Sequence, residues 1–274
     1  MSNLAFPGFS VSQLPKSTLE GNLYFRRIFT SGSTDIAEQI IRKTPSLLLC
    51  WLGMSDFLTF AINGAVNPDD LTPADTFQTR LENFISEVLR KTDCKIIIGN
   101  LISIEDLPFF YYQPYNKLFL SNLQLSTARA RYSAFNAAVA AYNRTVSEEF
   151  QRPFIDFFDN GYNPHPQNLV VSDQSLPDAF YPDGKPLEKF RHLAAGEMVL
   201  KTVTSQMIES GFGSSVPLAD SLYLSRDQIE SIVQRVCNFN AAIEQIAVAN
   251  PGRVALADVA CRVHPVAESG KLDA

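Results

Sequence analysis

Residues 46–56, SLLLCWLGMSD, constrain this chain more than any other stretch. Leu47, Leu48, Leu49, Cys50 and Trp51 are apolar without alternation, the pattern of a strand covered on both faces in a parallel sheet rather than of a half-solvated one. Gly53 breaks the run, and polar Ser55 and Asp56 follow at once. In an open α/β sheet, ligands sit in the crevice beyond the carboxyl ends of the strands, so these two side chains are expected at the site.

The flanking sequence supplies the rest of such a sheet. Ser33, Thr34 and Asp35 precede Ile36, Ala37, Ile40 and Ile41 at helical spacing, and Pro45 ends that helix. Asn67, Pro68, Asp69 and Asp70 form a turn, and Thr72 with Pro73 opens an amphipathic helix on Phe77, Leu81, Phe84, Ile85, Val88 and Leu89. Residues 95–101, KIIIGNL, are the next buried strand, so strand, helix, strand makes a parallel crossover the default. Residues 253–259, RVALADV, are the last strand, preceded by a long helix at 229–249 that Ser225 caps and Pro251-Gly252 terminates. At the amino end Asn3, Leu4, Ala5 and Phe6 before Pro7-Gly8 read as an edge strand and a turn, and residues 19–30 hold the scattered aromatics Tyr24, Phe25 and Phe29.

Between these elements lie an aromatic loop at 103–123, a helix at 127–150, and a polar stretch rich in Pro, Asp and Asn whose apolar patch is Leu169, Val170 and Val171. Plain connections are seldom so long. The organisation expected is one domain over 1–274 with an insertion around 151–225, where residues 198–200 form a short strand and 211–215 a turn.

Composition excludes several classes. The formal net charge is −6 with no Lys/Arg-rich run, so the electrostatic footprint of a nucleic-acid binder is missing. No apolar run approaches the ~20 residues that span a bilayer, and residues 1–10 lack the features of an export signal. Cys50, Cys94, Cys237 and Cys261 are too far apart for a metal cluster or an obvious disulfide framework and read as buried free thiols.

Three features carry candidate chemistry. Gly53-Met54-Ser55-Asp56 after a strand has the form of a nucleophile elbow, but Phe57 stands where a second small residue belongs; the alternative is a polar strand end. A serine nucleophile needs an imidazole base held by an acid. His165 and His192 read as surface residues of the insertion, whereas Asp258 ends the last strand and His264 follows six residues later, so an acid and a base are able to face one site; the alternative is a solvated terminal histidine. Gly8 after Pro7 either aims a backbone N–H into the crevice, as an oxyanion donor must, or serves only as a turn. Asp173, Asp178 and Asp183 are scattered and do not read as metal ligands.

Taken in order, these residues resemble the SGNH hydrolases, the GDSL lipase/esterase family, in a branch common among exported Bacteroidetes proteins. Asn3 to Val11, NLAFPGFSV, is similar to the second family block, usually NLAVPGAKV, and Trp51-Leu52-Gly53-Met54-Ser55-Asp56 to the third, usually WxGNND. The likeness continues through Leu71-Thr72-Pro73, Pro108-Phe109-Phe110, Pro114-Tyr115-Asn116, Asn163-Pro164, Gly211-Phe212-Gly213-Ser214, Tyr223-Leu224 and Phe239-Asn240. The resemblance implies a flavodoxin-like three-layer α/β/α fold around a parallel sheet of about five strands. It implies cofactor-free hydrolysis of carboxylic esters of lipids or acylated carbohydrates by a serine nucleophile, in proteins usually exported. Gly8 takes the oxyanion glycine position and Ser55 that of the oxyanion asparagine. The Gly-Asp-Ser block with the nucleophile strand does not occur in the sequence, and the Asp-x-x-His block has only His264-Pro265 as an echo, with Cys261 where its aspartate belongs. Two functions follow: the body of an ester hydrolase, inactive as this chain alone, or a non-catalytic module that binds acylated or glycan ligands with the same fold.

Overall fold

The computed structural model describes residues 3–5, 7–14, 35–159, 161 and 164–268. Phe6, Tyr24, Phe25, Phe29, Ser33, Thr34 and Asn163 lie outside them. The chain divides into two compact units, one formed by Met1–Pro108 with Glu230–Ala274 and the other by Phe109–Ile229. The second unit contains the polar stretch 151–225 and begins earlier than that stretch, at Phe109.

The first unit is built on a three-stranded parallel sheet in which Lys95–Gly99 lies between Leu47–Cys50 and Val254–Ala257. The register places Leu48, Ile96 and Val254 in one row and Leu49, Ile97 and Ala255 in the next, on the opposite face. Ile96 and Ile98 are sealed on the first face. The helix Ala74–Lys91 buries Phe77, Leu81, Phe84, Ile85 and Val88, as its spacing predicts. The helix Arg226–Ala249 contributes Phe239, whose ring stacks on Phe77 with centroids 4.0 Å apart. The helix Ile36–Lys43 starts at Asp35, whose carboxylate accepts from the Ala37 and Glu38 amides.

The other face departs from expectation. Leu47 is 51%, Leu49 65% and Trp51 52% exposed, so the Leu47–Cys50 strand is not covered on both sides. It is also an edge, with Lys95–Gly99 its one ladder partner among the described residues. An unbroken apolar run therefore encodes a strand with one wet face here. Asn3–Ala5 carry no strand, and Pro7-Gly8 is a turn. The fold is a mixed α/β arrangement with a small parallel sheet flanked by helices.

The second unit has no large sheet. Three antiparallel pairs of two- and three-residue strands surround a core: Leu118–Phe119 with Pro166–Gln167, Val170–Ser172 with Phe190–His192, and Met198–Val199 with Tyr223–Leu224. Its long helix, Asn122–Asn143, begins before residue 127 because Ser121 and Gln124 form a reciprocal capping box. From it Tyr132 and Phe135 reach a cluster with Phe157 and Phe190, the Tyr132 ring lying 6.1 to 6.4 Å from each of the other three. Buried polar groups tie the loops together. Arg152, 1% exposed, donates to the carbonyls of Pro177 at 2.8 Å and Glu188 at 2.5 Å. Arg191 holds Asp173 at 2.5 Å and grips Glu197 through both terminal nitrogens at 2.6 and 2.7 Å.

Candidate functional site

The strand-to-helix turn after Cys50 is shaped by Gly53. Its φ is +120°, and a Cβ there would lie 2.8 Å from both Leu101 and Phe77 side-chain carbons, so neither the conformation nor the space admits another residue. Ser55 is the first residue of the helix Ser55–Ile62 and is half-buried. No imidazole is hydrogen-bonded to it among the described residues, which removes the support the elbow reading needs.

Asp56 is 1% exposed, and its carboxylate accepts from the Val11 amide at 2.7 Å, the Ser12 amide at 3.3 Å and the Thr72 hydroxyl at 2.8 Å. Burial pushes its pKa up, against those three hydrogen bonds and the nearby Arg80 charge. The Arg80 guanidinium in turn donates to the Ser12 carbonyl. A single buried carboxylate thus fastens the short helix Val11–Gln13, three residues after Gly8, to the helix that Ser55 begins. Gly8 is exposed, with φ +76°. The sequence placed Asp56 at the strand end but gave no sign that it ties down the amino-terminal turn.

Beyond the other two strands, Asn100 and Asp258 act together. The Asn100 amide donates to Asp258 Oδ1 at 2.8 Å, its oxygen accepts from the Ala260 amide at 2.9 Å, and Asp258 accepts from the Cys261 amide at 3.1 Å. They close the first turn of a helix, Val259–Glu268, that the sequence reading did not include. The hydrogen bond from Asn100, followed by that from Cys261, holds the Asp258 carboxyl below the usual range. Asp258 is therefore committed to the helix start and is not the acid facing His264.

That acid is Asp106, from the turn Ile104–Asp106. Its carboxylate, 7% exposed, lies 2.7 Å from His264 Nδ1, while the His264 side chain is 57% exposed. Such a pairing sets the tautomer and the orientation of the ring. The segment leading to Asp106 is fixed by Asn240, which accepts from the Leu101 amide at 2.7 Å and donates to the Leu101 carbonyl at 3.0 Å.

His165 and His192 belong to the second unit and are half-buried, not surface residues. His192 Nδ1 lies 3.0 Å from the Asn168 carbonyl, and burial lowers its pKa despite that bond. Asp173, Asp178 and Asp183 pair separately with Arg191, Lys189 and Lys185. Among the described residues no three His, Cys, Asp or Glu side chains converge to hold a metal, and no helix is long and apolar enough to cross a membrane. The four cysteines are free. Cys50 and Cys94 are buried, the Cys50 thiol pushed up to about 12 by burial, whereas Cys237 and Cys261 are exposed, contrary to the expectation of four buried thiols.

No protein-family model, curated protein or solved structure matches the chain.

Proposed function

We propose that this chain is the body of an SGNH-type hydrolase acting on carboxylic esters of lipids or acylated carbohydrates, with the flavodoxin-like layered sheet of that family. The observation that carries the reading is the pair His264 and Asp106 at 2.7 Å: an imidazole oriented by a buried carboxylate, both on segments leaving the carboxyl ends of the sheet strands. In this reading His264 takes the proton from the nucleophile and returns it to the leaving alcohol, while Asp106 sets the ring's tautomer and stabilises the imidazolium. The Gly8 N–H and the Ser55 hydroxyl take the oxyanion positions, and the hold of Asp56 on Val11 and Ser12 supports bringing their loops together. No cofactor enters.

Residues 1–274 contain no Gly-Asp-Ser sequence, so the proposal assigns ester turnover to a form that carries one. The test compares p-nitrophenyl butyrate cleavage by this chain and by a form extended through an in-frame Gly-Asp-Ser block. The chain alone is expected to be inactive; the extended form is expected to be active and to lose at least about a hundredfold in turnover on His264→Ala or Asp106→Asn. Turnover by the chain alone that Ser55→Ala abolishes would overturn the reading in favour of the elbow. An extended form indifferent to both His264→Ala and Asp106→Asn would leave the non-catalytic module.

A further inference from the structure

The second unit contains a groove of about 600 Å³ between the strand Leu118–Phe119, the first turns of the helix Asn122–Asn143, and the helix Ser205–Glu209 with the turn that follows it. That volume lies within the roughly 300–1,000 Å³ of small-molecule sites. Hydroxyl groups are numerous on its walls, but, Ser205 apart, their protons are already spent. Thr127 donates to the Leu123 carbonyl at 2.8 Å, Ser210 to Gln206 at 2.8 Å, and Ser214 and Ser215 to Gly211 at 2.9 and 3.4 Å. What the walls offer a ligand is thus mainly apolar surface, from Leu118, Leu120, Ala128 and Ile208, together with Phe119 and Leu123, which stand largely in water. A carbohydrate, which needs donors and acceptors along its length, is poorly served by such walls. A flexible hydrocarbon chain is well served.

Charge identifies the other end of the ligand. Lys117 and Glu209 both line the groove and offset one another. A second ammonium, not on the groove wall itself, shares a ring with the first: Lys201 Nζ lies 5.0 Å and Lys117 Nζ 6.0 Å from the centre of the same exposed Tyr112 ring. Lys117 also donates to Gln113, which fixes its position. Two ammonium groups gathered at one ring raise the local positive potential in a chain of net charge −6, and an anion reaching past Lys117 gains from both. We propose that this groove binds a single-chain amphiphile with an anionic head, its alkyl chain along Leu118, Leu120 and Ile208 and its carboxylate or phosphate against Lys117 and Lys201. The site lies wholly in the second unit and does not depend on the hydrolase reading.

Isothermal titration of the protein with dodecanoate below its micelle concentration tests this. One saturable site is expected, weakening about fourfold for each methylene removed in decanoate and octanoate. The double variant Lys117→Ala/Lys201→Ala weakens dodecanoate about tenfold and leaves the neutral-headed dodecyl maltoside unchanged, and the effect shrinks in high salt. Thr127→Trp, at an exposed helix position on the groove wall, blocks both ligands. Dodecyl phosphate binds as dodecanoate does, whereas inorganic phosphate at millimolar concentration does not displace either; displacement by phosphate would show a plain anion site and overturn the alkyl assignment. Absence of saturable binding, or affinity independent of chain length in the unsubstituted protein, overturns the proposal whether or not Thr127→Trp folds.

Discussion

In the first unit a three-stranded parallel sheet leaves Leu47, Leu49 and Trp51 half in water, whereas in the second, strands of two or three residues enclose Phe157, Val170 and Leu193 almost completely. In these two places the longer ladder has the more open face. A regular sheet satisfies its backbone through its ladder whether or not its faces are covered, so an open face costs it no hydrogen bond. Short strands leave many backbone groups to be matched otherwise, and the second unit does so with side chains: Arg152 on two carbonyls, Arg129 on the Phe157 carbonyl at 2.6 Å, and Asn136 on both backbone groups of Ile155 at 2.9 Å. Those clamps draw the loops over the aromatic cluster and seal it.

The largest effect that tests this contrast is at Phe157, 2% exposed and packed against Tyr132 and His192. Phe157→Ala is expected to cost about 3–5 kcal/mol, because an enclosed site pinned by side-chain clamps cannot collapse into the space. Urea unfolding of the two proteins measures it. A loss under about 1 kcal/mol would mean that this core is loosely filled and that its enclosure is only apparent.

Asp56→Ala tests the regular unit at its buried carboxylate clamp. The substitution leaves the Val11 and Ser12 amides and the Thr72 hydroxyl without their acceptor, at about 1–3 kcal/mol for each buried group that water cannot reach. With Ser12 nearer solvent two such groups remain, and relief of the burial that raises the Asp56 pKa offsets part of their sum of about 2–6 kcal/mol, which brings the expected loss below that for Phe157. Hydrogen exchange at Val11 is expected to speed up while the amides of the Lys95–Gly99 strand stay protected. Equal loss in both places would show that the amino-terminal turn is integral to the sheet.

The same contrast explains what was legible beforehand. Ala74–Lys91 is legible from its hydrophobic period, and Leu47–Cys50, Lys95–Gly99 and Val254–Ala257 from short apolar runs bounded by polar residues or turns. Covering of the Leu47–Cys50 strand was misread because apolar composition records what a face tolerates and not what lies on it. Strands such as Leu118–Phe119 and Phe190–His192 have no period to read, and Val259–Glu268 is hidden in the sequence because Pro265 stands inside it. At the site, His264 was singled out but was matched with Asp258, its near neighbour in sequence. Asp106 lies 158 residues away at the start of an aromatic loop, and no local pattern links a histidine to a carboxylate that only the fold brings near.

A smaller effect separates the units by pH. Burial holds the His192 pKa below 6.5, while an unfolded histidine titrates near that value. Between the folded and unfolded values the unfolded chain binds the extra proton, so stability rises with pH there; it is fully present above about 6.5 and is lost as pH falls through the folded value, with a slope of at most about 1.4 kcal/mol per pH unit. Thermal melts from pH 7.5 to 5 are expected to show this decline, and His192→Gln to flatten it. A decline of the same steepness in His192→Gln would assign it to other groups.

The smallest expected change in stability is at Leu49, and it bears hardest on the comparison. A leucine 65% exposed on the outer face of an edge strand has little apolar contact to lose, so Leu49→Lys is expected to shift stability by no more than about 0.5 kcal/mol. Its effect on association is expected to be larger. The Leu47–Cys50 strand presents an uncharged apolar face and, among the described residues, an edge with no ladder partner, the combination that templates pairing between chains and that lysine opposes. Light scattering during size-exclusion chromatography at rising concentration is expected to show self-association of the unsubstituted chain and less of it in Leu49→Lys, with the melting temperature unchanged. If Leu49→Lys instead lowers the melting temperature by several degrees in a monomeric protein, this face is covered within the chain in solution, and the contrast between an open sheet and a sealed core fails at its first term.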